Sequence, residues 1–254
     1  MLKLYRRITL YISLLVLLPG AVFAGAFSIL SREGGLAVPF PPPTAAAKRY
    51  SAPGHYLFIG ELDLGALPAA PSEGSLEDRE DLRVLYEWQA RRTAAQCAAA
   101  NSEISNDYEI FFGRISPFGS PSPAAVKVFF NNVAKDSVAA HKSVKNIYKR
   151  PRPFMRDAGL TPCLPRVEGF SYPSGHSAMS RLFALILSDL VPARRAEFMA
   201  RADEAALYRL IGGVHHPTDL AAGKALADML YASLLKQPEF VLDMKALRPL
   251  LRFW

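Results

Sequence analysis

The run AAVKVFFNNVAKDSVAAHKSVKNIY, residues 124–148, predicts a long helix and, with it, a helical protein. Pro121 and Pro123 stand just before the run, where proline suits the first turn of a helix. Pro151 and Pro153 stand just after it and end it, because a proline inside a helix removes a backbone hydrogen bond. Between these prolines, no glycine or proline interrupts the run. One continuous helix is therefore predicted here.

Five further segments are predicted to be helical, and no segment shows a convincing period of two that would indicate a strand. The first is a single long amphipathic helix that begins at the N-cap Ser75 and runs through LEDREDLRVLYEWQARRTAAQCAAAN. The others are predicted over Asn106–Phe112, from near Ser174 to Pro192, from after Arg194 to about Ile211, and over about Thr218–Leu235. The sequence thus predicts a compact all-α, multi-helix domain over residues 75–254.

The N-terminus, residues 1–24, is predicted to be a secretory signal peptide. A basic stretch with Lys3, Arg6 and Arg7 precedes an apolar stretch, and small residues around Ala24 offer a cleavage site. An uncleaved membrane anchor is the alternative, although the apolar stretch is short for a full span. We therefore expect a periplasmic protein that associates with the membrane only if this segment stays uncleaved.

Residues 25–74 are rich in Gly, Pro and Ala and are predicted to form an extended arm or wrapping segment without chemistry of its own.

The charge and composition of the chain bear on the kind of ligand that it binds. The formal charge falls from +7 to +4 without residues 1–24, which hold three basic and no acidic residues. This charge suits an anionic ligand without requiring one. Aromatic residues are not interleaved with basic runs, so nucleic-acid binding is not expected.

The chain has two cysteines, Cys97 and Cys163. An exported compartment permits them to pair, and a structural disulfide is favoured over two free thiols. Two cysteines so far apart in sequence do not indicate a redox or metal site.

Three clusters of polar residues lie at or near the ends of predicted helices and carry the candidate chemistry. They are Lys145 and Arg152 in KNIYKRPRP, Ser174, Gly175 and His176 in YPSGH, and Arg209, His215 and Asp219 in RLIGGVHHPTD. Taken singly, each has an ordinary explanation, such as a solvated cation at a helix C-terminus or a plain N-cap. Taken together, the cations and the backbone N–H groups at a helix N-terminus suit a phosphate-like oxyanion. A histidine with an acid four residues later suits a nucleophile or base held in one tautomer.

The order Lys-(six residues)-Arg-Pro, then Pro-Ser-Gly-His, then Arg-(five)-His-(three)-Asp resembles the signature of the phosphatidic-acid-phosphatase type 2 and haloperoxidase superfamily. These motifs cover residues 145–219. The chain most resembles the class A bacterial non-specific acid phosphatases. The resemblance implies an all-helical fold and the hydrolysis of small-molecule phosphomonoesters through a phosphohistidine, with an acidic pH optimum and possible homo-oligomers. No cofactor and no metal are expected, and the carboxylates show no spacing that suggests a two-metal site.

The resemblance also implies a role for each motif residue. His215 satisfies both spacings of the third motif and His216 satisfies neither, so His215 is predicted to attack phosphorus while Asp219 orients its ring. His176 is predicted to protonate the leaving alkoxide and then to activate water. The phosphate oxygens are predicted to be bound by Lys145, Arg152, Ser174, Gly175 and Arg209.

Three histidines and a tyrosine fall outside these roles. His216 is predicted to be a structural residue or a pocket-rim residue, His141 a helix-surface residue that could instead face the cavity, and His55 a loop residue. Tyr208 stands where the superfamily usually has a serine before the arginine, so the pocket wall or the support behind it must differ.

Other functions stay open at this point. A lipid phosphate phosphatase at the membrane and a vanadate-dependent haloperoxidase use the same residue pattern. A phosphate-binding or assembly protein with a decayed site is a third alternative, although the full set of nucleophile, acid and cations argues against it.

Overall fold

Helices make up all of the regular structure in residues 54–252, the part of the chain that the computed structural model describes. The α-helices are, in chain order, α1 (Leu76–Arg91), α2 (Ala94–Ser102), α3 (Tyr108–Phe112), α4 (Ala124–Tyr148), α5 (Pro153–Arg156), α6 (Gly175–Leu190), α7 (Arg195–Ile211), α8 (Pro217–Leu234) and α9 (Pro238–Ala246). The predicted all-α class is confirmed. The predicted signal peptide and most of the predicted arm lie outside the described residues.

Helix α6 lies at the centre of the domain. It packs mainly against α7 and α8, and α4 covers a further side. Large side chains around its circumference are fully buried, among them Leu182, Phe183 and Ile186. A helix that is apolar on nearly every side is stable only when other helices surround it. The central position of α6 follows from that composition.

Helices α6 and α8 approach each other closely at Gly223. A Cβ atom on Gly223 would lie 2.5 Å from the carbonyl oxygen of Ser174, so only glycine fits at this crossing. The Ser177 hydroxyl donates to the carbonyl of Leu220 over 2.8 Å, and the Ser174 N–H donates to the carbonyl of Asp219 over 2.9 Å. These contacts fix the N-terminal ends of the two helices against each other.

The long first helix that the sequence predicts is in fact two helices, so that prediction is wrong. Thr93 ends the run because it forms a capping box with Gln96, which starts α2. The side chain of Arg92 turns away at the break and donates to the carbonyls of Ile211 and Thr161. The absence of Gly and Pro suggested continuity, but the Thr-x-x-Gln signal for a new helix lay inside the run.

Two short helices were not predicted. Helix α4 ends before Pro151 and Pro153, as predicted, but Pro153 also occupies the first turn of α5, where its missing N–H costs nothing. Pro238 begins α9 in the same way. In both cases proline marks the start of a helix that was not predicted.

The predicted disulfide between Cys97 and Cys163 is confirmed. It joins α2 to the long loop between α5 and α6, with 5.9 Å between the two Cα atoms. The backbone N–H of Cys163 also donates to the carbonyl of Gly212, in the turn after α7. The disulfide therefore holds α2 against the loop that precedes the second motif, and this loop in turn contacts the third motif at Gly212.

One carboxylate on α4 anchors the start of the described chain. Asp136 is fully buried, and its Oδ1 accepts the N–H groups of His55, Tyr56 and Leu57 over 2.8, 3.1 and 2.9 Å. A Cβ atom on Gly54 would lie 2.0 Å from the same oxygen, so the turn requires glycine. Tyr56 and Leu57 then enter the core, while the side chain of His55 stays exposed in a loop.

We expect Asp136→Ala to destabilise the protein by at least about 2 kcal/mol, because three amide groups lose their acceptor. Asp136→Asn is the matched control: it keeps one oxygen where Oδ1 stands and should cost less. Urea unfolding of the three proteins measures the difference. Equal stability of Asp136→Ala and the wild type would contradict the anchoring role.

Candidate active site

The N-terminus of α6 forms one wall of the site. Ser174 is its N-cap, and the Ser174 hydroxyl accepts the N–H of Ser177 over 3.3 Å. Gly175 is the first helical residue, so its N–H has no acceptor within the helix. A Cβ atom at Gly175 would lie 2.9 Å from the ring of His141, which explains the glycine. The close packing leaves a bare backbone turn that suits an oxyanion.

His215 lies in the turn between α7 and α8 and has a partner on each ring nitrogen. Its Nδ1 lies 3.3 Å from Oδ2 of Asp219, and its Nε2 lies 3.2 Å from Nη1 of Arg152. A carboxylate only accepts and a guanidinium only donates, so Nδ1 carries the proton and Nε2 presents a lone pair. Burial holds the pKa of His215 well below its ordinary value, which keeps the ring neutral. The geometry is that of a nucleophile or base.

Three cations from different helix ends act on one another, and two of them, Lys145 and Arg152, also act on His215. Lys145, in the last turn of α4, donates to the carbonyls of Phe170 and Ser171. Arg152 donates to the carbonyl of Val214 over 2.9 Å and to that of Gly169 over 3.2 Å. Backbone carbonyls of the α5–α6 loop thus hold two of the three cations in place.

Arg209, in the last turn of α7, is different. It is only 2% exposed, yet its Nε and Nη1 have no hydrogen-bond partner among the described residues. Burial, and then the charge of Arg152, lowers the pKa of Arg209 to about 10. Buried donors without an acceptor cost free energy, so this guanidinium favours an anion with several oxygens.

His176 stands on the first turn of α6, opposite the α2–α3 connection. Its Nε2 lies 3.1 Å from the carbonyl oxygen of Glu103, so Nε2 carries a proton and Nδ1 is left for proton transfer. Burial, and then the neighbouring charge of Arg209, lowers the pKa of His176 to about 3. An anion beside Arg209 would offset that charge and favour the protonated ring.

The structure brings the eight predicted site residues to one place. The contacts described above join Ser174 and Arg152 to the Asp219–His215 pair. Lys145 acts electrostatically on Arg152, and Arg152 acts in the same way on Arg209. Their individual roles in a reaction stay predictions.

His141 does not lie where its simplest interpretation placed it, and His216 agrees with one of its two interpretations. The helix-surface interpretation of His141 is wrong, because α4 turns this residue inward against Gly175 and leaves it 8% exposed. The pocket-rim alternative for His216 is also wrong: the residue is fully buried and caps α8. Its structural alternative agrees with this position.

The side chain of Tyr208 bonds within its own helix, α7. Its hydroxyl donates to Oε1 of Glu204 over 3.0 Å, one turn earlier on α7. Its side chain packs against the apolar cluster of Ala100, Leu164 and Val214. The residue that departs from the superfamily pattern therefore supports a wall and leaves Arg209 in place.

Sequence reasoning missed a buried group of charges behind the site. Arg150 donates to Oδ1 of Asp219 and to Oδ2 of Asp81, both over 2.8 Å. Arg156 binds both carboxylate oxygens of Asp78 over 2.7 Å. Asp78 and Asp81 lie three residues apart on α1, and each is 2% exposed. The signal available in the sequence was the spacing of Asp78 and Asp81, which places two acids on one face of a helix that has few apolar residues to bury.

Residues 54–252 contain neither a group of side chains that could hold a metal ion nor a helix that could span a membrane. In this part of the chain, no three His, Cys, Asp or Glu side chains are grouped so that they could hold a metal ion. In the same residues, none of the helices has both the length and the apolar character needed to cross a bilayer.

Residues 124–240 match the PAP2 superfamily. The non-specific acid phosphatase of Providencia stuartii is 30% identical over 192 residues, which cover 70% of this chain and 75% of that protein. The non-specific acid phosphatase of Salmonella typhi is 31% identical over 185 residues, covering 68% and 74%. Among solved structures, a bacterial vanadium-dependent iodoperoxidase shares the fold, with a TM-score of 0.51, 17% identity, and coverage of 67% of this chain and 52% of that one.

We expect the free energy of unfolding to fall as the pH falls from about 6.5 to 5. Burial lowers the pKa of His141 and of His176 to about 3, and that of His215 is lowered as well. An unfolded histidine titrates near pH 6.5, so below that pH the unfolded chain binds protons that the folded chain does not. Each histidine contributes up to about 1.4 kcal/mol per pH unit.

Urea unfolding at several pH values, without phosphate, measures this slope. His141→Gln should reduce the slope by about one proton, because it removes one of the three rings whose pKa is lowered. A stability that does not change over this range, or the same slope in His141→Gln, would contradict the buried neutral histidines.

Proposed function

Because the chain belongs to the PAP2 superfamily, we propose that it is an acid phosphatase that hydrolyses phosphomonoesters through a phosphohistidine on His215. The chain is a phosphatase by its family, and the finer assignment rests on the site. The observation that carries it is a neutral imidazole whose Nε2 lone pair lies beside Arg152. Arg209 lies within electrostatic range of Arg152, and its Nε and Nη1 have no acceptor within residues 54–252. A nucleophile and an oxyanion site thus stand together.

In the first step the lone pair on His215 Nε2 attacks phosphorus, and the bond between phosphorus and the leaving oxygen breaks. Protonated His176 gives its Nδ1 proton to that oxygen, so an alcohol leaves. Asp219 holds the Nδ1 proton of His215 and stabilises the charge that the ring gains. Arg152, Arg209 and the first turn of α6 bind the phosphoryl oxygens as charge develops on them.

In the second step a water oxygen attacks phosphorus, and neutral His176 takes the proton from that water. The phosphorus–nitrogen bond breaks, its electron pair returns to Nε2 of His215, and inorganic phosphate leaves. His176 is then protonated again, as the next cycle requires. The chain's own cations supply the charge neutralisation in both steps, so we propose a reaction without a metal ion or cofactor.

The proposed acidic pH optimum follows from His176. Its pKa in the free site is low because of burial and of Arg209. The ring must nevertheless be protonated to give its proton to the leaving group. A phosphomonoester with its negative charge beside Arg209 favours that form, and an acidic medium supplies the proton.

We also propose that the protein is secreted to the periplasm, works on small soluble substrates and forms homo-oligomers. The basic and apolar composition of residues 1–24 supports export. The disulfide between Cys97 and Cys163 agrees with an oxidising compartment.

The test is the hydrolysis of p-nitrophenyl phosphate by the full-length protein, expressed with its own N-terminus, in the presence of EDTA. We expect an active wild type and a loss of at least about a thousandfold in kcat for His215→Ala. His55→Ala, which changes an exposed loop histidine, is the matched control and should keep full activity. When the substrate is labelled on phosphorus and the reaction is quenched in alkali, which preserves a phosphohistidine, label should remain on the peptide that contains residue 215.

Three outcomes would contradict the proposal. Activity retained by His215→Ala would exclude this nucleophile, and activity abolished by EDTA would indicate metal chemistry. An inactive but folded wild type that oxidises iodide, when vanadate and hydrogen peroxide are added, would indicate a haloperoxidase instead.

A further inference from the structure

Two adjacent histidines share one carboxylate oxygen. Oδ2 of Asp219 accepts the backbone N–H of His216 over 2.8 Å, lies 3.0 Å from Nδ1 of His216, and lies 3.3 Å from Nδ1 of His215. The two bonds from His216 are therefore shorter than the one to the proposed nucleophile. The other oxygen, Oδ1, accepts from Arg150. The side chains of His215, His216 and Arg150 therefore share the negative charge of the Asp219 carboxylate.

The far side of the His216 ring is fixed as well. Nδ1 of His216 must donate, because its partner is a carboxylate, so Nε2 is an acceptor. Nη1 of Arg156 lies 3.3 Å from that Nε2. Arg156 is in turn held by both oxygens of Asp78, on α1. A continuous chain of bonds thus runs from Asp78 through Arg156, His216 and Asp219 to His215.

We propose that His216 and Arg156 are positioning residues of the phosphatase reaction, which hold the Asp219 carboxylate and set how much of its charge reaches His215. This inference rests on the proposed function, since it assigns work to residues behind the same nucleophile. Neither residue touches the reacting atoms.

The direction of the effect follows from the groups that surround the pair. Asp219 faces His215, His216 and Arg150, and Tyr172 lies within electrostatic range. Removing the His216 donor leaves more negative charge on Oδ2, and that charge stabilises a protonated His215.

The remaining charges around the pair are cationic on one side and anionic on the other. His215 faces Arg152 and Lys145, both of which favour its neutral form. Arg156 faces Asp78, with Arg150 and Glu73 within electrostatic range. These groups stay in place when His216 alone is changed.

A change of His216 therefore acts on His215 through Asp219 and favours the protonated ring. Because the nucleophile must be neutral, the acid limb of the pH profile of kcat/KM should move to higher pH.

The decisive comparison is His216→Phe against His216→Asn. Phenylalanine keeps a planar ring but loses both nitrogens, whereas the asparagine amide can place an N–H near the position of Nδ1. For His216→Phe we expect kcat to fall about tenfold, the scale of one hydrogen bond to a charged group, with the acid limb displaced upward. For His216→Asn we expect less than about a threefold loss and an acid limb near that of the wild type.

Arg156→Lys is a second variant, which decides the matter if His216→Phe does not fold. An ammonium can pair with Asp78 but lacks the fork that reaches Nε2 of His216 at the same time. We expect a smaller upward displacement of the acid limb. Tyr86→Phe is the control. Tyr86 lies on α1, the helix that carries Asp78, but its hydroxyl bonds to Asp157, which is not part of the chain of bonds. Thermal unfolding separates loss of fold from loss of positioning.

The outcomes distinguish this inference from the proposed function. Loss of activity in His215→Ala, together with unchanged pH profiles in His216→Phe and Arg156→Lys, would overturn the positioning role and leave the phosphatase assignment intact. An equal fall in kcat for His216→Phe and His216→Asn without any displacement of the profile would also overturn it. Full activity in His215→Ala would instead overturn the proposed function.

Discussion

Repulsion between buried cations is the constraint on which the rest of the site depends. Lys145, Arg152 and Arg209 come from three different helix ends, and burial disfavours the charge on each of them. The pKa of Lys145 is lowered to about 7 by burial and then by Arg152. Two features offset this repulsion. Backbone carbonyls of residues 168–171 hold Lys145 and Arg152, and Nε and Nη1 of Arg209, which have no acceptor in the described part of the chain, favour an anion.

A second group of charged residues lies behind these three cations, and in this group acids outnumber bases. Asp78, Asp81 and Asp219 surround Arg150 and Arg156, so acids outnumber bases there by one. Such buried pairs add little net stability, but losing one partner leaves an uncompensated charge that costs about 3–5 kcal/mol. The acids of α1 thus hold the arginines that hold Asp219. This helix carries none of the motifs, yet it supports the geometry of the third.

The motif residues could be placed from the sequence because each lies at a helix end that proline, glycine or an N-cap marks. The residues behind them could not. Arg150 meets Asp81 across 69 positions, a pairing that no local pattern encodes. His141 looked like a surface residue because its burial depends on Gly175, which is on another helix. The break at Thr93 depends on a capping box with Gln96, which the absence of glycine and proline in the run does not reveal.

The crossing at Gly223 has a consequence for how such a protein could change its substrate. Because α6 and α8 meet backbone to backbone there, the two helix starts that carry His176 and Asp219 cannot slide or rotate independently. Natural or laboratory evolution would have little room to reshape the reaction centre itself. Changes in selectivity should accumulate instead in the α2–α3 connection and the α5–α6 loop, which border the centre and tolerate insertions and exchanges.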